Sequence, residues 1–314
     1  MLLSGLLLLY IGAEWLVKGA AGMGRSFGVR PLVVGLTVVA YGTAAPELVV
    51  SGVAAFEGRS AIALANVIGS NISNIGLVLG LSAVIAPMQV EGGLISKELP
   101  VLIGTTMLIP VLLVTGGVTR PEAAVLLLGA AGFTFLTARV SPRELGATPA
   151  LLEADAEAAG APPGRGRLRL LLIATAGLGI LLAGGQVFVQ GAVTAARALG
   201  LSDRIIGLTI VAIGTSVPEL AASIVAAMRG HSAIAIGNVI GSNIFNVVFV
   251  LAGAALVSPI TASLTVFAID VAVLSVFAIA AAVMTRRKRI ISRLEGLALL
   301  AAYAAYLLSL TLAA

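Results

Sequence analysis

Apolar stretches of about 20 residues recur along almost the whole chain, and no other feature of the sequence limits the fold so strongly. A helix of that length crosses the roughly 30 Å of hydrocarbon in a bilayer. Hydrophobic residues fill 59% of the 314 positions and charged residues 11%, unlike the composition of a soluble globular domain. Transmembrane β-strands would instead alternate in hydrophobicity over about 10 residues, which this sequence does not do. We therefore predict an all-α polytopic membrane protein.

Ten transmembrane helices account for the chain, and no segment is left for a soluble domain. The first is interpreted as a permanent span rather than a cleaved signal peptide, because no Lys or Arg precedes it and a counterpart lies later in the chain. The predicted spans lie near residues 2–22, 31–56, 60–87, 98–117, 121–139, 168–196, 204–228, 232–257, 261–284 and 294–313.

The distribution of Lys and Arg predicts the orientation of these helices, since positive residues accumulate in cytoplasmic loops. With the N-terminus outside, fifteen Lys and Arg residues fall on the cytoplasmic side and four fall outside. Both termini are then external, and the basic run 286-RRKR-289 is a topology anchor rather than a nucleic-acid patch. The absence of cysteine excludes disulfides and thiolate metal sites.

An internal repeat divides the chain into two similar halves. Residues 35–80 and 207–252 are identical at 29 of 46 positions, at a constant offset of 172 without gaps. We therefore predict one five-helix unit in 1–139 and a second in 168–314, joined by a cytoplasmic linker at 140–167 that is rich in Pro, Gly and acidic residues. Because five crossings reverse the direction of the chain, the second unit is inverted. Inverted repeats place a binding site near the bilayer midplane and allow two mirror-related states, one open to each side.

The tripeptide Pro-Glu-Leu stands in the middle of an apolar span in each half. Pro46 and Pro218 cannot donate a backbone hydrogen bond, so each is predicted to break its helix in mid-membrane and to free backbone carbonyls. Glu47 and Glu219 follow directly, and a carboxylate at this depth costs a few kcal/mol or more unless it is compensated. No Lys or Arg lies within either repeated helix core. A bound cation is the natural partner, although a protonated Glu that hydrogen-bonds between helices stays an alternative.

Small and polar residues share a helix face with each glutamate and line the helix that follows. Spacings of three or four residues align them in both halves. The residues aligned with the glutamates are Ala40, Thr43 and Ser51, and Ala212, Thr215 and Ser223. Those in the following helices are Asn66, Ser70 and Asn74, and Asn238, Ser242 and Asn246. Gly69 and Gly241 are predicted to break the second helix of each half beside these residues. An all-oxygen ligand set suits Na⁺ or Ca²⁺ and suits Zn²⁺ or copper poorly.

Several of these polar residues also fit ordinary packing, because Ser and Asn hydrogen-bond between membrane helices. The residues expected to be ion ligands are Ser70, Ser242, Asn74 and Asn246. The residues expected mainly to pack or to hold the helices together are Ser51, Ser223, Asn66, Asn71, Asn238 and Asn243.

A known family carries similar paired motifs. The chain contains 42-GTAAPEL-48 with 66-NVIGSNISN-74, and 214-GTSVPEL-220 with 238-NVIGSNIFN-246. These resemble the alpha-repeats of the sodium/calcium exchangers, in the prokaryotic branch of the calcium:cation antiporter superfamily, and the resemblance covers the whole chain. It implies that cytoplasmic Ca²⁺ is exchanged for external Na⁺ across a prokaryotic inner membrane by alternating access. Spans 1 and 6 would slide against a core that holds the ions.

Carried over by position, the resemblance assigns roles to residues of this sequence. It implies a central cluster of Glu47, Glu219, Asn74 and Asn246, with Ca²⁺ also touched by the backbone at Thr43 and Thr215. It implies flanking sodium sites on the Ala40 and Ala212 carbonyls, the Thr43 and Thr215 hydroxyls, Ser70, Ser242 and the two glutamates. Ala44 departs from the family, in which Ser is common at this position, whereas the second half keeps Ser216.

The resemblance also has implications for coupling. More than two Na⁺ would exchange for each Ca²⁺, which makes transport electrogenic. Potassium-dependent members and some prokaryotic relatives carry Asp where this chain has Asn74 or Asn246, so Asn at both positions argues against a K⁺ requirement. No cofactor is implied. The expected partners are the two ions and the lipid bilayer, without nucleic acid, and a monomer is the starting hypothesis.

Other functions stay open from the sequence. An H⁺/Ca²⁺ antiporter is the nearest rival, since two midplane glutamates could exchange protons for Ca²⁺, but the Thr and Ser pairs argue against it. A cation channel would also need oxygen ligands, although an inverted repeat with kinked helices fits alternating access better. A membrane-embedded metalloenzyme would lack His ligands, and nucleophile–base pairs for catalysis are absent, so we predict a transporter and no enzyme.

Overall fold

The structure is a computed structural model that describes residues 1–90, 92, 97–140, 165–200 and 212–313. The described part is helical apart from short connections and four two-residue strands. Nearly all of the predicted linker 140–167 lies outside the described residues, as does the beginning of the predicted span 204–228.

The helices carry labels in chain order, and segments labelled π form wider turns than an α-helix. The first half contains α1 (Leu2–Phe27), α2 (Pro31–Val34), π1 (Gly35–Val39), α3 (Ala40–Thr43), α4 (Ala45–Phe56), α5 (Ser60–Ser73), π2 (Asn74–Leu79), α6 (Gly80–Ile85), α7 (Leu99–Val114) and α8 (Arg120–Val140). The second half contains α9 (Arg165–Ala198), α10 (Ala212–Gly214), α11 (Val217–Met228), α12 (Ser232–Phe245), π3 (Asn246–Leu251), α13 (Ala252–Val257), α14 (Leu264–Lys288) and α15 (Arg293–Ala313). The strands are β1 (Met88–Gln89), β2 (Gly117–Val118), β3 (Ile260–Thr261) and β4 (Ile290–Ile291).

Seven helices of the described part are long and apolar enough to cross a membrane. An eighth span results if the bent pair Pro31–Thr43 and Ala45–Phe56 is counted as one. Two shorter apolar helices, Leu99–Val114 and Val217–Met228, lie where further spans are predicted from the sequence. The chain is therefore a multi-pass helical membrane protein.

Elements of the two halves correspond at the offset found in the sequence. The pairs α4 and α11, α5 and α12, π2 and π3, and α6 and α13 each begin and end 172 residues apart. Similar sequences thus form similar local structure, including the wide turns that start at Asn74 and Asn246.

Two small antiparallel strand pairs join loops that are distant in sequence. β1 pairs with β4, which places Met88 opposite Ile291, and β2 pairs with β3, which places Gly117 opposite Thr261. Gly117 has a φ of 129°, and a Cβ there would lie 1.9 Å from the carbonyl oxygen of Ile260. Only glycine fits this close backbone approach. Each pair takes one strand from each half and so fixes the halves to each other.

Helices α1 and α9 pack antiparallel along a row of glycines. A Cβ on Gly12 would lie 2.4 Å from the backbone nitrogen of Leu181, and one on Gly177 would lie 2.4 Å from that of Leu16. Four further glycines approach the partner helix in the same way, at positions 5, 19, 184 and 191. Because these glycines recur every seven residues, they lie on one face of each helix. The two backbones therefore come close together, as at other small-residue interfaces between membrane helices.

The centre of the bundle is formed by two helices that continue through wide turns. In the apolar window of Ser60–Ile85, 72% of the residues are buried, and in that of Ser232–Val257 83% are buried. In α8 and α15 only 17% of the window is buried. The polar residues of α5, π2, α12 and π3 therefore lie in the protein interior, and the peripheral helices separate them from the lipid.

Candidate ion-binding site

Each half contains a helix that stops and restarts within an apolar segment. The helical segments Pro31–Thr43 and Ala45–Phe56 meet at an angle of 44°. Residues 215–216 interrupt the equivalent helix between α10 and α11. Pro46 and Pro218 lie in the first turn of the second segment, where a missing N–H removes no helical hydrogen bond.

The two glutamates lie in the first turn of the restarted helices and are almost completely buried. Glu47 is 0% exposed and Glu219 is 1% exposed. The partial positive charge at a helix N-terminus favours carboxylates at this position. Within the described residues, no hydrogen bond of standard geometry reaches either oxygen of Glu47 or the Oε2 atom of Glu219. The carboxylates also lie close enough to repel each other. Two buried carboxylates that repel each other and lack such hydrogen bonds would be stabilised by a bound positive charge.

Hydroxyl groups of both halves lie beside the carboxylates. Those of Ser70 and Thr215 lie near the carboxylate of Glu47, and their oxygens are 3.5 Å apart. The Thr43 hydroxyl lies near the carboxylate of Glu219. Because Thr215 faces a glutamate of the first half and Thr43 faces one of the second, the polar site is formed between the halves.

Two asparagines fix the broken helices. The side-chain nitrogen of Asn66 donates to the carbonyl of Glu47 at 3.3 Å and to the Ser51 hydroxyl at 2.9 Å. The equivalent hydrogen bonds of Asn238 measure 3.3 and 3.0 Å. Asn238 also accepts a hydrogen bond from the Thr43 hydroxyl at 3.3 Å. These contacts hold the backbone next to each glutamate in place.

Buried amides complete the polar region. Asn74 and Asn246 start the wide turns π2 and π3, and both are at most 1% exposed. In the described part of the chain, the side-chain oxygens of Asn74, Asn246 and Ser242 have no hydrogen-bond partner. Buried polar atoms are nearly always paired in native proteins. Buried oxygens that are left unpaired are suited to bind a hard cation.

The two alanines assigned to sodium sites lie at equivalent positions in the broken helices. Ala40 starts α3, and its carbonyl accepts a hydrogen bond from the Ala44 amide at 3.1 Å. Ala212 starts α10. A carbonyl oxygen has two lone pairs, so that of Ala40 keeps one for a further interaction.

The predicted helix breaks at Gly69 and Gly241 are wrong. α5 continues through Gly69 and α12 continues through Gly241, and each helix changes only at the following Asn74 or Asn246. A Cβ on Gly241 would lie 2.6 Å from the carbonyl oxygen of Leu36, so this glycine permits a close helix crossing. A Cβ on Gly69 would have no neighbouring atom within 4 Å among the described residues. Glycine weakens a helix by only about 1 kcal/mol, and burial of these helices outweighs that amount.

A cavity of about 540 Å³ lies beside the site. It lies between α9 and the first turns of α4 and α11, and Thr215 and Pro218 form part of its wall. Gln186 and Gln190 of α9 are its other polar lining residues. The cavity therefore offers a path by which a solvated ion could reach Thr215.

An ion pair lies in the equivalent region beside α1. The Arg229 guanidinium donates to both carboxylate oxygens of Glu14, at 2.9 and 2.7 Å, and so joins the end of α11 to α1. The position equivalent to Glu14 in the second half is Gln186, which lines the open cavity. Next to the ion pair, burial and the positive charge of Arg25 lower the pKa of His231, so this imidazole is neutral at pH 7. The regions beside α1 and α9 thus differ in charge, with an ion pair in the first and a neutral glutamine in the second.

A family model described as sodium/calcium exchanger protein matches residues 1–138 and 169–312. The chain belongs to this family. It is a family of transporters, and Na⁺ and Ca²⁺ are the ions carried rather than cofactors.

Individual relatives resemble this chain over nearly its whole length. The putative antiporter CaxA of Alkalimonas amylolytica is 40% identical over 307 residues, which cover 97% of this chain and 95% of that protein. The sodium/calcium exchanger MaX1 of Methanosarcina acetivorans is 28% identical, with 98% and 97% covered. A solved structure of the sodium-calcium exchanger NCX_Mj matches with a TM-score of 0.84 at 34% identity, covering 98% of this chain and 97% of that one. The family expected from the paired motifs is confirmed.

Two polar residues of the candidate site were not among those expected from the sequence to be ion ligands. Ser216 is fully buried beside Thr215, and its hydroxyl has no hydrogen-bond partner among the described residues. Its position directly before the Val-Pro-Glu of the second half was the available signal, but Ala44 occupies that position in the first half. Asn71 connects the two halves, as described below. No periodicity in the sequence could identify its partners, which lie 172 and 175 residues away.

Proposed function

We propose that the chain is a secondary active antiporter that exchanges Na⁺ for Ca²⁺ by alternating access. The observation that carries this proposal is the pair of buried carboxylates, Glu47 and Glu219, which face each other between the halves without hydrogen bonds of their own at three of their four oxygens. Two carboxylates carry two negative charges, which one Ca²⁺ neutralises. The same oxygens suit Na⁺, so the two ions compete for one place and cannot both be bound fully at once.

Ten spans in two inverted five-helix repeats form the architecture of this proposal. In support, α1 and its repeat equivalent α9 pack antiparallel, with Gly5 next to Phe188 and Gly19 next to Ala174. Residues 1–139 and 168–314 are the two repeats, and 140–167 is a cytoplasmic linker. The Lys and Arg distribution supports external termini in a prokaryotic inner membrane.

The proposed ion ligands are the residues that the family resemblance assigns by position. Glu47 and Glu219, with the backbone at Thr43 and Thr215, hold Ca²⁺. The sodium ligands are the two glutamates, the hydroxyls of Thr43, Thr215, Ser70 and Ser242, and the carbonyls of Ala40 and Ala212. Asn74 and Asn246 belong to the central cluster, and their neutral amides favour transport without K⁺. The contacts between hydroxyls and carboxylates of opposite halves support this assignment.

Coupling is proposed to be electrogenic and to extrude Ca²⁺. If more than two Na⁺ enter for each Ca²⁺ that leaves, net positive charge moves inward. Each elementary charge then contributes about 2.3 kcal/mol per 100 mV of membrane potential. Reorientation with neither ion bound would carry two bare carboxylates past an apolar seal, which is unfavourable and suppresses leak.

The test is ⁴⁵Ca²⁺ uptake into proteoliposomes that contain Na⁺, diluted into Na⁺-free or Na⁺-containing buffer at clamped pH and potential. We expect uptake only with an outward Na⁺ gradient, and faster uptake at a potential that is positive inside, because net positive charge leaves the vesicle as Ca²⁺ enters. Uptake driven by a pH gradient alone would identify an H⁺/Ca²⁺ antiporter. Uptake that needs neither gradient would identify a channel.

The ion pair between α1 and α11 predicts a measurable preference between the two states. With the proposed orientation, the cavity beside α9 faces outward, and we propose that the Glu14–Arg229 pair helps to close the cytoplasmic side. Since the chain has no cysteine, a Gln186→Cys variant introduces a single thiol into the cavity. We expect an impermeant thiol reagent to label it from outside. Adding Glu14→Gln should slow labelling about two- to threefold, because an exposed ion pair makes a small but measurable contribution.

The matched control for this experiment is Glu57→Gln combined with Gln186→Cys. Glu57 forms an exposed ion pair with Arg59 at 3.3 Å, within one connection of the chain. Its loss should leave the labelling rate unchanged. An equal rate with and without Glu14→Gln would contradict a closing role for the Glu14–Arg229 pair.

A further inference from the structure

The side chain of Asn246 can serve a cation in only one of its two orientations. Its oxygen is a ligand for Na⁺ or Ca²⁺, whereas its NH₂ group repels a cation. Asn246 is 1% exposed and lies in the central polar cluster. Something must therefore select the orientation that presents the oxygen.

Hydrogen bonds to Asn71 make this selection. The side-chain nitrogen of Asn71 donates to the backbone carbonyl of Asn243 at 3.2 Å. A backbone carbonyl can only accept, so this bond determines which end of the Asn71 amide faces Asn243. The other end of Asn71 is then its oxygen, which accepts from the side-chain nitrogen of Asn246 at 3.0 Å.

The consequence for Asn246 is that its NH₂ group is held by Asn71 and its oxygen points elsewhere. That oxygen is buried and has no hydrogen-bond partner among the described residues. Asn71 is itself fully buried, so water does not compete for the two bonds. A backbone carbonyl in one half thus fixes an amide of the other half, which in turn fixes Asn246.

We propose that Asn71 is a positioning residue that keeps the Asn246 oxygen directed at the transported cation. The proposal rests on the function proposed above. It gives Asn71 a role in ion affinity without making it a ligand.

The first half lacks the equivalent arrangement. Asn243, the counterpart of Asn71, donates its side-chain nitrogen to the carbonyl of Val239 in its own helix at 2.8 Å. Asn74, the counterpart of Asn246, has no hydrogen bond at either side-chain atom within the described part. The two amides of the central cluster are therefore not equivalent, because Asn246 is held in one orientation and Asn74 is not.

The experiment compares Ca²⁺ concentration dependence of Na⁺-driven ⁴⁵Ca²⁺ uptake in proteoliposomes. Asn71→Leu keeps a similar side-chain volume and removes the acceptor for Asn246. We expect the half-saturating Ca²⁺ concentration to rise on the order of tenfold, with the maximal rate changed less, because binding is affected before movement. Asn71→Ala should give the same result and serves if the leucine variant does not fold. Asn243→Leu, the repeat-equivalent control, should change the half-saturating concentration less than threefold.

The decisive comparison places Asn71→Leu in an Asn246→Asp background. A carboxylate presents an oxygen in either orientation, so orientation no longer matters there. We expect Asn71→Leu to change the half-saturating concentration less than twofold in this background, measured against Asn246→Asp alone. The same tenfold loss in both backgrounds would show that Asn71 acts only through packing and would overturn the proposal.

Uptake by the wild-type protein distinguishes a failure of the Asn71 proposal from a failure of the proposed antiporter function. If wild-type vesicles show no Na⁺-dependent uptake, the antiporter assignment fails, and equilibrium ⁴⁵Ca²⁺ binding to the purified variants takes the place of uptake. The same tenfold and less-than-twofold differences are then expected in the dissociation constant. Equal losses in the two backgrounds would overturn the role of Asn71 by this measurement as well.

Discussion

Replacing either buried glutamate by glutamine should abolish Na⁺-driven Ca²⁺ uptake. Glu47→Gln or Glu219→Gln preserves the shape of the side chain and removes one of the two charges proposed to neutralise Ca²⁺. A unit charge about 4 Å from another contributes about 4 kcal/mol at an effective dielectric constant of about 20. Since Ca²⁺ carries two charges, we expect affinity to fall at least about a thousandfold. The measurement is ⁴⁵Ca²⁺ uptake at increasing Ca²⁺, together with equilibrium ⁴⁵Ca²⁺ binding to the purified protein.

The control for the glutamate variants is Glu57→Gln, at the end of the same α4 segment. Glu57 is exposed and forms an ion pair with the nearby Arg59, so solvent screens its charge from the buried site. Uptake by this variant should equal that of the wild type. Near-normal Ca²⁺ affinity in both Glu47→Gln and Glu219→Gln would remove the central argument for the ion site.

A valine in the glycine row between α1 and α9 should slow transport strongly without preventing membrane insertion. A Cβ on Gly177 would lie 2.4 Å from the backbone nitrogen of Leu16 and 2.8 Å from the side chain of Trp15. The helices must then separate, which strains the contact and prevents the close packing along which they would slide. Overpacking of this kind typically costs about 1–3 kcal/mol. Here the added methyl groups meet main-chain atoms, which cannot rotate away as a side chain can. We expect Gly177→Val to reduce the maximal uptake rate at least tenfold.

The matched control is Gly179→Val, two residues further along the same helix. Nothing lies within 4 Å of a Cβ at Gly179, which is exposed on α9. The same substitution there should leave both uptake and the thermal unfolding midpoint near the wild-type values. Equal effects of the two substitutions would mean that helix propensity, and not the α1–α9 contact, is responsible.

The broken helices were predictable because their cause is local. Pro46 and Pro218 lack a backbone donor wherever they stand, and the observed interruptions fall within three residues of them. The predictions at Gly69 and Gly241 failed for the opposite reason. Glycine permits many backbone conformations, and its neighbours in space decide which one occurs. At Gly241 the neighbour is the carbonyl of Leu36, 205 residues earlier in the chain, and this contact requires a small residue in an intact helix.

The burial of Glu47 and Glu219 and the polar faces beside them also follow from sequence, because apolar neighbours and helical periodicity are properties of a single segment. Comparing the two halves of the sequence revealed the repeat at an offset of 172 residues. The motifs that recur in both halves indicated the family, which the family model confirms. Periodicity places a residue on a face of its helix, but it does not determine which other helix packs against that face.

The sequence by itself therefore determined a multi-pass helical protein with two repeated, proline-broken helices that each bury a glutamate. Only the tertiary structure decided which groups meet. It placed Thr215 beside Glu47, connected Asn71 to Asn246 and Asn243, and joined Glu14 to Arg229 while Gln186 stayed in an open cavity. The physical reason is that local backbone preferences act over a few residues, whereas these contacts join residues more than 160 positions apart and exist only when the two halves pack together.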